Sequence, residues 1–300
     1  MWRFGEGAAM DGGDVKQKPA GNMTVGPVAP MLARLTTPMV IGVLATMGYG
    51  VAETWLVAQL GSDPLSASSF TFPITMAMIS LAIGLSAGTS SVVARALGAG
   101  EAAGVLVIDG MILTAALGVA AALLLEIAAG PIFRAMGAPE RLLPVILGYL
   151  HIWFAAVVLF MVAIVGLSAG RAAGDARFQG LAMLVTAGLN ACLAAAAMFG
   201  VLGLPGIGLR GAAVANGLAW AALLVVTLWR LRHLGLLQDG LPGPARFVAS
   251  ARRVLRVGLP AAGTNTIIPV SAAILTGILS TYGTAAVAGA GVAGYQAQIS

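Results

Sequence analysis

Apolar runs of about 20 residues follow one another along almost the whole chain, each long enough to cross ~30 Å of hydrocarbon as a helix. In lipid every backbone N–H and C=O needs a partner inside the protein, so a spanning segment is either a helix or a strand of a closed barrel. Barrel strands alternate apolar and polar residues, and these runs do not. Only 9% of the 300 residues are charged and 59% are hydrophobic, against about 25% charged in soluble domains. The spans read as 33–59, 66–92, 103–129, 142–169, 178–202, 210–231 and 255–281, with an eighth opening near Ala285. This is the pattern of an all-α polytopic membrane protein. Residues 1–30 hold Gly, Pro and scattered charges without an apolar h-region, so they read as a cytoplasmic tail with no cleavable signal peptide.

The sixteen Lys and Arg sort by side. Arg3, Lys16, Lys18, Arg34, Arg95, Arg171, Arg177, Arg230, Arg232, Arg246, Arg252, Arg253 and Arg256 fall on one side of the alternating loops. Arg134, Arg141 and Arg210 fall on the other. That asymmetry places the N-terminus in the cytoplasm of a bacterial inner membrane. It also accounts for the net charge of +5 without a nucleic-acid partner. The single Cys192 lies inside the fifth span and offers neither an intrachain disulfide nor metal-ligand spacing.

Arg34, Pro38, Thr54 and Gly61 recur as Arg256, Pro260, Thr276 and Gly283, each pair 222 residues apart. The second set lies six spans after the first, so the seventh span re-enters the membrane in the direction of the first and the repeat is parallel. The plan is then a 1–30 tail, a six-helix N-lobe over 31–232, a cytoplasmic linker over 233–254, and the first one to two helices of a second lobe over 255–300. A complete second unit of ~222 residues would bring the chain to roughly 440–460 residues, so the expectation is a C-terminally truncated form.

Several segments together resemble the multidrug and toxic compound extrusion (MATE) family of secondary transporters. They are "AETWLVAQLG" (Ala52 to Gly61), "GLSAGTSSVVARALGAGE" (Gly84 to Glu101), "GRAAGDARFQG" (Gly170 to Gly180) and "LPGIGLRGAAVAN" (Leu204 to Asn216). In the first of these Glu53 stands where the family more often has Asp, and Ala58 replaces a Gly.

Glu53 lies about two turns from the outer end of the first span. A charged carboxylate there is costly, which suits it to take up a proton on one side and release it on the other. The resemblance implies the same role, because the matching family acid binds the coupling ion. Asn190 and Asn216 are mid-membrane amides with donors and acceptors to satisfy. The resemblance groups them with Glu53 in an N-lobe polar cluster. The acid often found four residues after Asn190 is Ala194 here. One lone titratable group favours H+ over Na+, which wants several hard oxygens; Na+ is the other candidate. Leu275 occupies the repeat position of Glu53, so the proposed coupling site belongs to the first lobe.

Asp109 and Glu126 read as markers of the two ends of the third span. Flat aromatics and flexible Met on the spans suit adaptable binding of greasy cations. Tyr49, Phe70, Met76 and Met161 are candidates for the substrate cavity, with Asn265 adding polarity from the second lobe. His151 and His233 are far apart, and no Ser-His-acid, Cys-His or phosphate-loop pattern appears, so neither an enzyme nor a cofactor site is read.

The expected function is ion-coupled antiport of amphipathic or cationic drugs and other toxic organic compounds by alternating access, in a monomer within the lipid bilayer. Two other readings stand beside it. One is a lipid-linked precursor flippase or another exporter of the same superfamily. It would call for a cationic cavity, and no Arg or Lys lies in the interior of spans one to six. The other is a fragment of the transporter that is inactive as it stands.

Overall fold

A computed structural model describes residues 28–200, 205–237, 243–283, 286–287 and 289. The tail over 1–27, part of the linker (238–242) and most of the segment read as an eighth span lie outside them. The described residues form seven helices long and apolar enough to cross a membrane, with no strand. They are α1 (Val28–Gln59), α2 (Ser62–Gly98), α3 (Gly104–Ala135), α4 (Leu143–Ala172), α5 (Ala176–Phe199), α6 (Leu209–His233) and α7 (Pro244–Ser280).

The first six helices make a bundle whose three most extensive interfaces, α4–α6, α1–α5 and α2–α4, join helices that are not adjacent in sequence. Helix α1 packs on α5, α5 on α6, α6 on α4, and α4 on α2, with α1 and α2 meeting only sparsely. These five form a ring, and α3 lies outside it against α4 and α2. Side chains such as Phe70, Met78, Phe133, Ile146, Leu150 and Met161, all fully buried, fill the core between α2, α3 and α4.

Without a hydrophobic drive between helices in lipid, close backbone approach supplies the contact energy, and small residues permit it. A Cβ built on Gly42 of α1 would lie 2.8 Å from the carbonyl oxygen of Gly180 on α5, and one built on Gly180 would run into the Pro38 carbonyl of α1. Likewise a Cβ on Gly84 of α2 would lie 2.6 Å from the Gly258 carbonyl oxygen of α7, and Gly88 sits against the Val254 carbonyl. The small-residue face of α2 therefore serves to seat α7, the packing partner with which α2 shares its longest interface.

The repeat has a structural signature. Pro38 and Pro260 lie inside α1 and α7. Gly61 and Gly283, which follow the ends of those helices, both adopt left-handed backbone, with φ of 112° and 100°. A residue with a Cβ is strained there.

The main boundary difference is at α7, which starts at Pro244 rather than at 255, so part of the stretch read as linker is helical. That extra helix has its own packing: Val254 is fully buried, and Phe247, Ala251 and Leu255 lie with it against Val92 of α2 and Leu113 of α3.

Candidate functional site

A cavity of about 250 Å³ lies inside the ring, walled by α1, α2, α4, α5 and α6. Helix α1 contributes Tyr49 and Glu53, one helical turn apart and so on one face. Asn190 comes from α5 and Asn216 from α6, each 3% exposed. Asn216 is the hub. Its Nδ2 donates to Glu53 Oε1 at 3.3 Å, while its Oδ1 accepts from Asn190 Nδ2 at 2.6 Å and from the Tyr49 hydroxyl at 3.4 Å. Glu53, Asn190 and Asn216, which the resemblance groups as one polar cluster, form one hydrogen-bonded chain across three helices. Asn190 Oδ1 is buried with no partner among the described residues, leaving one acceptor beside a carboxylate.

Much of the remaining lining is aromatic. Trp153 of α4 meets Trp220 of α6 edge-on at 6.0 Å between ring centres, and Phe160 lies 5.0 Å from Trp220. Tyr149, Met76 and Met183 complete the soft surface, and Thr46, Thr75 and Thr186 add hydroxyls. Among the described residues no Lys or Arg lines the cavity. A carboxylate facing polarisable rings in such a space suits a positively charged, partly aromatic guest.

Of the residues expected in the substrate cavity, Tyr49 and Met76 line it and three do not. Phe70 and Met161 are fully buried in the core. Helix rotation explains both. Met161 follows cavity-lining Phe160, about 100° further round α4, and the cavity-facing positions of α2 are Thr75, Met76 and Ile79. Asn265 belongs to the α2–α7 contact instead. Its Nδ2 donates to the Ala261 carbonyl at 2.8 Å, and its own carbonyl accepts from Ser80 Oγ at 3.1 Å. Tyr149, Phe160 and Trp220 escaped the sequence reading. The only signal for Trp220 is its place one turn after Asn216.

Asp109 departs from its expected part as an end marker. It is 1% exposed, and neither carboxylate oxygen has a hydrogen-bond partner among the described residues. Asp109→Asn is expected to raise the thermal stability of the purified protein by about 1 kcal/mol, because an unpartnered amide is cheaper to bury than a carboxylate. A lowered melting temperature would overturn that account. Glu126, by contrast, pairs with His151. In the Arg-x-x-Gly-Asp loop, Asp175 accepts from Arg230 Nε at 2.6 Å and Arg230 covers the Phe178 ring at 5.3 Å, tying the start of α5 to the end of α6.

The MatE family model matches residues 38–196. The chain belongs to the MatE family. That match takes in α1 to α5, and with them Glu53 and Asn190, while Asn216 lies beyond it. Among relatives, the FAD transporter of Shewanella oneidensis is 32% identical over 269 residues, covering 88% of this chain and 59% of that protein. The "Probable multidrug resistance protein YoeA" of Bacillus subtilis is 27% identical, covering 83% of this chain and 55% of its own length. A crystal structure of a mutant of the Vibrio cholerae MATE transporter VcmN superposes with a TM-score of 0.77 at 27% identity, over 89% of this chain and 60% of that one. This MatE chain therefore spans somewhat over half the length of the relatives it matches.

Asn216→Ala is expected to cost this MatE bundle about 1–3 kcal/mol, since it leaves Asn190 Nδ2 and Glu53 Oε1 without the partner each has now. Thermal unfolding in detergent reads the loss, and an unchanged midpoint would remove Asn216 from its place as hub.

Proposed function

We propose that this protein is a secondary active efflux transporter that exchanges H+ for amphipathic, cationic organic compounds. The observation that carries the reading is the Glu53–Asn216–Asn190 network set in an aromatic-walled cavity without Lys or Arg. Protonation of Glu53 removes the charge that attracts a cation, so proton and drug compete for one site and leave it in turn. Oxygen donors within the network are few for sodium, which favours the proton. The protein works as a monomer by alternating access. It sits in a bacterial inner membrane with its N-terminus in the cytoplasm, as the arginine asymmetry supports.

The test is efflux from proteoliposomes with an imposed pH gradient or an imposed sodium gradient, using a fluorescent aromatic cation. Proton-driven cation movement is the expected result, and sodium-driven movement alone would overturn the choice of ion. A second reading comes from the name of the Shewanella relative, since FAD would offer a flat ring to Trp153 and Trp220. Its phosphates would meet the Glu53 carboxylate unfavourably. An FAD arm in the same assay decides between them: FAD movement with no cation movement would replace the proposed substrate class.

A further inference from the structure

A second built feature lies outside the cavity, where the end of α2 meets the start of α7. The two helices run antiparallel, brought together by Gly84, Gly88, Gly258 and Ala262. Beyond the last of these contacts they flank a pocket of about 620 Å³, into which Arg95 projects from α2 and Arg253 and Arg256 from α7. Val92, Ala96, Leu106 and Val257 form its apolar walls, and Glu101 is its one acid among the described residues. Three guanidiniums against one carboxylate leave a net charge of +2 (3 − 1) in one concavity.

None of the three arginines has a carboxylate within salt-bridge distance among the described residues, whereas Arg134, Arg141 and Arg230 each do. The one side-chain hydrogen bond found for the trio is from Arg95 Nε to the Ser91 carbonyl, at 3.2 Å. Like charges gathered without counter-charges repel one another, and an anion between them reverses that cost. Guanidinium groups are well matched to phosphate oxygens, which they can grip with two N–H donors at once.

The surroundings indicate which kind of phosphate. Arg256 also borders a groove of about 510 Å³ along α7, lined by Phe247, Val248, Ala251, Arg252, Leu255 and Leu259 and lying mostly toward the start of the helix. In the other direction the large exposed side chains of α7 are apolar: Leu259, Ile267, Val270 and Ile274. A basic pocket followed by an apolar helix surface matches an anionic phospholipid, headgroup at the arginines and acyl chain after. The arginine asymmetry assigns this end of the bundle to the cytoplasmic leaflet, the side whose lipids are anionic.

We propose that Arg95, Arg253 and Arg256 form a binding site for the phosphate of an anionic phospholipid, bridging the six-helix lobe and α7. The site rests on the proposed membrane orientation and is independent of the ion and the drug carried through the cavity.

The test reconstitutes the 300-residue protein in nanodiscs of phosphatidylcholine mixed with phosphatidylglycerol, then measures by native mass spectrometry which lipids stay bound. The expected result is several-fold enrichment of phosphatidylglycerol over its share of the disc. The enrichment should fall to that share in R95Q/R253Q/R256Q and shrink as salt is raised. Glu101→Gln is expected to increase it, a gain that misfolding cannot produce. Equal enrichment in the wild type and the triple variant would overturn the site, as would none in the wild type. Inorganic phosphate is the second probe. If it binds the arginines and displaces the lipid at matching concentrations, the acyl chain contributes nothing and the ligand is a free phosphate, which would overturn the lipid assignment.

Discussion

Glu53→Gln is expected to reduce gradient-driven efflux to the leak of empty liposomes, to leave the protein folded, and to weaken drug binding while making it independent of pH. Glutamine keeps the volume of Glu53, and its amide oxygen can still accept from Asn216 Nδ2, the contact Glu53 makes at 3.3 Å. What it loses is the ability to gain and release a proton. No other described acid lines the cavity: Asp109 and Glu126 are both on α3, outside the ring, Asp63, Glu101, Glu140 and Asp175 lie at helix ends or in loops, and α7 carries Leu275 at the equivalent repeat position. The neutral side chain fixes the site in its proton-bound form, so cation binding should be weak at every pH in the variant, whereas the wild type should bind more tightly as pH rises. Wild-type efflux in the variant would sink the proton-coupling role of Glu53. Tight, pH-dependent cation binding retained in the variant would remove Glu53 from the site that proton and drug share.

Gly180→Ala is the second large expected effect, this time on the fold. An added Cβ on Gly180 would occupy the place of the Pro38 carbonyl and approach the Met39 amide nitrogen to 3.0 Å. Both are backbone atoms of α1, and backbone cannot swing aside as a side-chain tip can. The helices must separate, at a cost on the order of 3 kcal/mol. The displacement also reaches the site, because α1 carries Glu53 and α5 carries Asn190. Gly188, two turns along α5, is the internal control: a Cβ there meets nothing within 4 Å. Gly188→Ala is expected to be neutral or to stabilise by about 0.5–1 kcal/mol through helix propensity. Thermal unfolding of the pair in the same detergent checks the argument. Equal midpoints for the two variants would mean that the α1–α5 contact is looser than its geometry implies.

Much of this architecture was legible in the chain because lipid imposes a strong rule on it. A run of apolar residues in a bilayer has to be a helix, and all seven spans appear as helices. The echo of Gly61 in Gly283 was readable for a similar reason: a left-handed residue after a helix end calls for glycine. Glu53, Asn190 and Asn216 stood out because each is polar where burying polarity is expensive.

The rest was illegible for a physical reason. Helices apolar on every side carry no stripe that tells which face meets which neighbour. Met161 and Phe160 differ by one position, yet one is core and the other cavity wall. Asp109, near the start of α3, gave no sign in the sequence that its carboxylate would be enclosed. The face of α2 that holds Gly84 and Gly88 announced close packing without saying that α7 would fill it.

The sequence alone determined the seven described helices and the polar residues worth watching, because those follow from the cost of unsatisfied polar groups in hydrocarbon. Only the tertiary structure decided that three of those residues join through Asn216, which aromatic rings face them, and where three arginines from two helices converge. Those outcomes depend on the rotation and pairing of helices, set by backbone contacts at a few small residues far apart in the chain.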